Sequence, residues 1–115
     1  MGEAKKYQAK FSGDANLSFE HKGVSFDDFK DGVLVDAKYG HGSSIFSEDD
    51  FGDIQFTNPQ RLNKIQEQAE RQLKAIEGTN LKIEWHISTE LGATGIKEFF
   101  SSKGITQIVV KYTPL

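Results

Sequence analysis

Two aspartates and a lysine carry the strongest chemical signal in this chain. They lie in the stretch 24–38, V-S-F-D-D-F-K-D-G-V-L-V-D-A-K. Asp31-Gly32 between runs of Val, Leu and Phe predicts a two-residue hairpin turn with positive φ at both residues. Counting outward, Lys30 faces Val33, Phe29 faces Leu34, Asp28 faces Val35 and Asp27 faces Asp36. Asp36 and Lys38 are two apart in a strand and share a face, with Asp27 opposite Asp36 on that face. Opposed carboxylates repel, so one takes up a proton or a positive charge sits between them. A divalent cation such as Mg²⁺ is the economical answer, with two hard oxygen ligands and the Lys38 ammonium aimed at one spot. Val24, Phe26, Val33, Val35 and Ala37 make the other face apolar. The stretch therefore predicts one face for core and one for chemistry. Asp-x-Lys alone is common, and a mixed-charge strand face is usually only solvated; the pairing with Asp27 is what raises these residues above that background.

The elements that must position them follow from local pattern. Residues 3–11 read as a short helix, with Ala4, Tyr7 and Phe11 at helical spacing. Residues 17–22 alternate Leu17, Phe19 and His21 against polar residues, and a loose Lys22-Gly23 turn joins them to the hairpin as a three-stranded antiparallel meander. Residues 39–58 read as an irregular loop overhanging the site, glycine-rich at first and then acidic at Glu48, Asp49, Asp50 and Asp53. A loop of that length is more often functional than merely connecting, and Ser47 before the acids could cap a short helix. His41, between two glycines, is a candidate for phosphate contact or proton transfer against the plainer reading of a surface histidine.

Asn58-Pro59 opens the clearest helix, as favoured N-cap and first-turn residues. Leu62, Ile65, Ala69, Leu73 and Ile76 form its apolar stripe, and Gly78 stops it. Arg61, Gln68 and Gln72 flank the stripe, where they are rim residues or orient a water or phosphate. Residues 81–88 alternate as a strand with Trp85 in the core and His86 on the polar face. A helix over 89–103, weakened by Gly92 and Gly95, leads to an Ile/Val strand over 105–112, too apolar for an exposed edge. The class is α/β, a mixed α+β fold in which the meander is followed by α-β-α-β with a parallel crossover.

One hundred and fifteen residues make one domain. No cysteine means no disulfide framework and no thiolate metal site. No apolar run reaches membrane-spanning length and the N-terminus shows no signal-peptide pattern. The net charge of -3 weighs mildly against nucleic acid, although a bound cation inverts the local field.

An Asp on one strand, Asp-x-Lys on the next and a helix carrying Gln resemble the PD-(D/E)xK restriction-endonuclease-like nucleases. More closely, the chain resembles the restriction-endonuclease-fold toxin domains of bacterial polymorphic toxins, the fifth group of that type. The likeness rests on Tyr7-Gln8 followed by Ser12-Gly13, on Gly23-Val24-Ser25-Phe26-Asp27, and on the run from Asp31-Gly32 to Asp36-Ala37-Lys38. It continues through Gln68-Ala69 with Gln72, Glu84-Trp85-His86 and Thr113-Pro114. The resemblance implies a restriction-endonuclease-like three-layer fold spanning 1–115 as a single toxin domain, the C-terminal part of a larger effector. It implies a metal-dependent DNase whose Mg²⁺ or Mn²⁺ is held by Asp27, Asp36 and the Ala37 carbonyl, with Lys38 positioning or activating the attacking water. Their own placement adds Gln68 and Gln72 as catalytic candidates and His41, Arg61 and His86 as candidates for substrate contact, each against the plainer reading of a rim or solvated side chain. The partners implied are DNA and a cognate immunity protein, with no membrane and no organic cofactor, and the site of action is the cytoplasm of a target bacterium. Asp28, where the group tends to have Gly, and the long 39–58 loop depart from the pattern. A non-catalytic binding module using the acidic loop, or an RNase on the same fold, are the alternatives.

Overall fold

The computed structural model describes residues 2–12 and 19–115. Its elements run α1 (Glu3–Ser12), β1 (Phe19–His21), β2 (Val24–Phe26), β3 (Asp28–Lys30), β4 (Val33–Lys38), β5 (Phe46–Glu48), β6 (Ile54–Phe56), α2 (Pro59–Ala75), β7 (Lys82–Ile87), α3 (Glu90–Ser102) and β8 (Ile108–Tyr112). The start of the expected 17–22 strand, with Leu17, lies outside the described residues, as does Gly13.

The Asp31-Gly32 turn forms with φ of 54° and 79°. It sets the register Lys30 to Val33, Phe29 to Leu34 and Asp28 to Val35. The ladder stops short of an Asp27–Asp36 pair. Asp27 occupies a bend between β2 and β3, and its N–H also donates to the Val35 carbonyl, at 2.8 Å. Two residues thus face one, as in a bulge, which bends a strand and re-aims its side chain. The bend splits the expected meander: β1 and β2 form their own two-stranded sheet, and β3 and β4 join another. The Lys22-Gly23 turn, read as loose, is as tight as the first, with φ of 51° and 80° and His21 paired to Val24.

The main sheet has the order β3-β4-β7-β8, antiparallel at β3 and parallel from β4 through β8. This is the mixed sheet expected of the fold. β4 is interior, and interior parallel strands are covered on both faces. Leu34, Asp36 and Lys38 lie beside Ile83, Trp85 and Ile87 of β7, on the face that α2 and α3 bury. Val35 is also buried, and its face meets α1, where Phe11 packs on His86 with ring centres 4.7 Å apart. The expected division into a core face and a chemical face is therefore corrected. The acids share the main core's face, and α1, sheet, and α2 with α3 make three layers.

α2 begins where Asn58 Oδ1 accepts the Arg61 N–H at 3.2 Å, satisfying one of the donors a helix start leaves open. Its buried stripe is Leu62, Ile65, Ala69, Gln72 and Ala75. Gln72 takes the inward position that the sequence reading gave to Leu73. The Ile/Val strand expected to be interior is instead an edge: β8 pairs with β7 alone among the described residues. Ile108 and Val110 are buried, whereas Val109 and Tyr112 are each 48% exposed. One buried face was read as two.

Residues 39–58 hold a hairpin rather than an irregular loop or a capped helix. β5 and β6 pair Phe46 with Phe56, and Phe56 packs edge-on against Phe99 of α3 at 5.7 Å. Asp49 Oδ1 accepts the Phe51 and Asp53 N–H groups, both at 2.9 Å, so part of the acidic run is turn chemistry. The glycines that weaken α3 by propensity make this packing possible. A Cβ at Gly95 would stand 2.5 Å from the Phe46 ring, and one at Gly92 would overlap the His41 carbonyl oxygen.

Gly92→Ala separates the two effects. Helix propensity favours alanine by about 1 kcal/mol, but forcing atoms into a packed site costs about 1–3 kcal/mol, and here the obstacle is backbone. The expected result is a lower Tm by calorimetry, with an unchanged or higher Tm showing that the His41 segment is not held as described.

Candidate active site

The site is assembled on the last residues of β4 beneath α2. Alternation along β4 puts Asp36 and Lys38 on the inner face, where they are 6% and 9% exposed. Buried charges persist only when paired and hydrogen-bonded, and these are. Lys38 Nζ lies 3.1 Å from Asp36 Oδ2 and donates to Gln68 Oε1 at 2.6 Å. Gln68 Nε2 returns to Asp36 Oδ2 at 3.2 Å, closing a ring of three side chains. Gln72 Nε2 adds a shorter bond to the same oxygen, 2.7 Å, while its Oε1 accepts from Trp85 Nε1 at 2.7 Å. An indole N–H can only donate, so Trp85 fixes which end of the Gln72 amide faces the carboxylate. The Lys38 ammonium also stands over the Trp85 ring, 4.6 Å from its centre, a favourable cation–π geometry.

Asp27 reaches the cluster from its bend and not from the ladder. Its Oδ2 accepts the Ala37 N–H at 2.7 Å. Burial raises its pKa; the Ala37 hydrogen bond and the Lys38 charge oppose this, and the Asp36 charge adds to it. The two carboxylates are thus close enough to feel each other although they are not a cross-strand pair. The Lys38 carbonyl accepts from Ser88 on the β7 side at 3.0 Å. Backbone groups of successive residues alternate sides, which turns the Ala37 carbonyl toward the Asp27 side.

These donors suit a hard cation. Among the described residues, every hydrogen bond to Asp27 and Asp36 falls on Oδ2, leaving Oδ1 of each for a ligand. Among them, too, no three His, Cys, Asp or Glu side chains converge. Two carboxylates and a backbone oxygen, completed by water and phosphate, match Mg²⁺ and Mn²⁺ preferences and no softer metal.

Of the remaining candidates, the structure brings two toward the cluster and leaves one apart. His41 is half-buried, with Nδ1 3.1 Å from the Tyr39 carbonyl. Burial pushes its pKa down, and the Lys38 and Arg61 charges push the same way, against Asp36 and the Tyr39 carbonyl. Arg61 is exposed in the first turn of α2, near enough for its charge to act on His41. His86 lies on the other face, 2.9 Å from Glu84 and 2.8 Å from Thr113. It ties the end of the chain to β7.

Trp85 is the participant that strand alternation hides, because alternation marks it only as core. Its signal lies elsewhere: Gln72 falls seven residues after Ile65, within the buried stripe, and a buried amide needs partners on both ends.

No helix of the described residues is long and apolar enough to cross a membrane. The model of a family described as restriction endonuclease fold toxin 5 matches residues 4–90, a span holding every residue of this cluster. No curated protein and no solved structure matches.

Proposed function

The chain belongs to the restriction endonuclease fold toxin 5 family, and from that membership we propose that it is a metal-dependent phosphodiester hydrolase acting on DNA. The observation that carries this reading is the convergence of Asp27, Asp36 and Lys38, with Gln68 bonded to both Asp36 and Lys38. Asp27 Oδ1, Asp36 Oδ1 and the Ala37 carbonyl would hold Mg²⁺ or Mn²⁺, which supplies Lewis-acid polarisation of the scissile phosphate.

The protein's own groups do the rest. Lys38 uses two of its three N–H donors on Asp36 and Gln68, leaving one for the attacking water or a phosphate oxygen. Gln68 and Gln72 keep Asp36 and Lys38 from rotating away. His41 and Arg61 offer a proton-accepting nitrogen and a fixed positive charge at the rim. As a toxin of this kind, the domain would be delivered as part of an effector into a target bacterium's cytoplasm, with an immunity protein guarding the producer.

The test is supercoiled plasmid incubated with the protein in Mg²⁺ and in EDTA, beside a structured RNA. Nicking and linearisation in Mg²⁺ alone are expected. Equal degradation in EDTA would defeat the metal reading, and cleavage of the RNA with intact plasmid would move the substrate to RNA.

A further inference from the structure

We propose that the groove between α2 and the β1–β2 hairpin holds the phosphodiester backbone of the nucleic-acid strand as it leaves the candidate active site. The proposal rests on the hydrolase reading and assigns residues that reading does not use: Lys22, Arg71 and Lys74.

The groove has two continuous parts. The first, of about 300 Å³, is lined by Gly23, Val24, Ser25, Gln68 and Arg71. The second, of about 250 Å³, shares Val24 and Arg71 and adds Lys22 and Lys74. Three cations and no carboxylate line this path on a chain whose net charge is -3. Among the described residues, none of the three is in an ion pair, whereas Lys38 and Lys111 are. All three are exposed, so an approaching polyanion meets their full charge.

Gln68 is what joins the groove to the chemistry. Its side chain bonds Lys38 and Asp36 and also forms the groove's head. From Gln68 to Lys74, α2 rises about 9 Å at 1.5 Å per residue, the length of two or three nucleotides at about 3.4 Å per step. Arg71 and Lys74 from the helix and Lys22 from the hairpin thus line the same path, and Ser25 adds a neutral hydroxyl donor of the kind that fixes backbone register. Lys22 sits at φ 51°, a turn position that asparagine or glycine fills with less strain, so local conformation does not explain a lysine there. Contacts of this kind carry no base information, and the groove would grip any sequence.

The experiment uses the whole chain carrying Lys22→Gln, Arg71→Gln and Lys74→Gln together, with Lys22→Asn as a single variant suited to the turn. Binding of a labelled oligonucleotide is followed by fluorescence anisotropy without divalent metal, across a salt series. Each lost phosphate contact lowers the slope of log K against log salt by about 0.7–0.9. The triple variant is expected to lose about two units of slope and about 10–100-fold in affinity at low salt, with its Tm held. Lys22→Asn should lose part of both without a fall in Tm. Unchanged slope and affinity overturn the proposal. So does wild-type binding of polyglutamate as tight as the oligonucleotide, which would mark a surface for an acidic protein.

Cleavage separates this proposal from the one beneath it. On long DNA the triple variant should show a raised KM with kcat retained, while a small phosphodiester too short to reach the groove is cleaved at the wild-type rate. A wild-type protein that binds as described but cleaves nothing would sustain the groove and defeat the hydrolase.

Discussion

Lys38→Ala is expected to lower phosphodiester cleavage by about 10³-fold, the scale seen when a preorganised donor to developing charge is removed. The ammonium has no understudy: among the described residues no other cation pairs with Asp36, and Arg61 is exposed at the rim, acting on His41. The substitution also strips the buried Asp36 of its counter-charge, and breaking such a pair from one side costs about 3–5 kcal/mol, so a melting curve must accompany the assay. Lys38→Arg keeps the test decisive if the alanine variant unfolds. It retains the positive charge, but a planar guanidinium cannot take the compact position between Asp36 Oδ2 and Gln68 Oε1, and such an exchange is not conservative at a tight site. A folded arginine variant should still lose activity by about 10²-fold. Wild-type turnover in either variant would remove Lys38 from the chemistry.

A large stability effect is also expected at Gln72→Leu, a residue that carries no charge. The side chain is fully buried and joins Trp85 Nε1 to Asp36 Oδ2 with two bonds of 2.7 Å. Leucine fits the volume but leaves the indole N–H without a partner, and an orphaned buried polar group costs about 1–3 kcal/mol. Asp36 loses its shortest hydrogen bond as well, though Lys38 and Gln68 remain on the same oxygen. Together these should cost about 2–4 kcal/mol, a fall in Tm of about 10 °C for a chain of this size. Trp85→Phe keeps a ring under the Lys38 ammonium but leaves the buried Gln72 Oε1 without its donor and a void beside the smaller ring, so it should cost about 2–3 kcal/mol. Thermal denaturation followed by circular dichroism checks both. A Gln72→Leu protein melting with the wild type would mean the bridge does not hold the site together.

The sequence was legible where a rule acts within a few residues. The Asp31-Gly32 turn and its register follow from the need for positive φ at both positions, and the start of α2 follows from Asn58-Pro59. Asp36 and Lys38 had to share a face because side chains alternate along a strand. The ordered set from Tyr7 to Thr113 carried the family likeness. These local facts determined the fold class and put two of the three charged residues side by side.

Tertiary structure decided the rest, because it depends on what arrives from elsewhere in the chain. Which face of β4 is buried is set by β7, α2 and α3, and they cover the acids rather than leaving them in water. Asp27 reaches Ala37 through a bend that no count outward from the turn contains. The hairpin that carries the acidic residues after Ser47 packs on α3 because Gly95, more than forty positions later, leaves room for the Phe46 ring. Trp85 holds the Gln72 amide only because a parallel strand brings it beside Asp36. A strand's own alternation states which residues share a side; only the neighbours that pack on that side determine whether it is surface, core or, as here, a charged site set into the edge of the core.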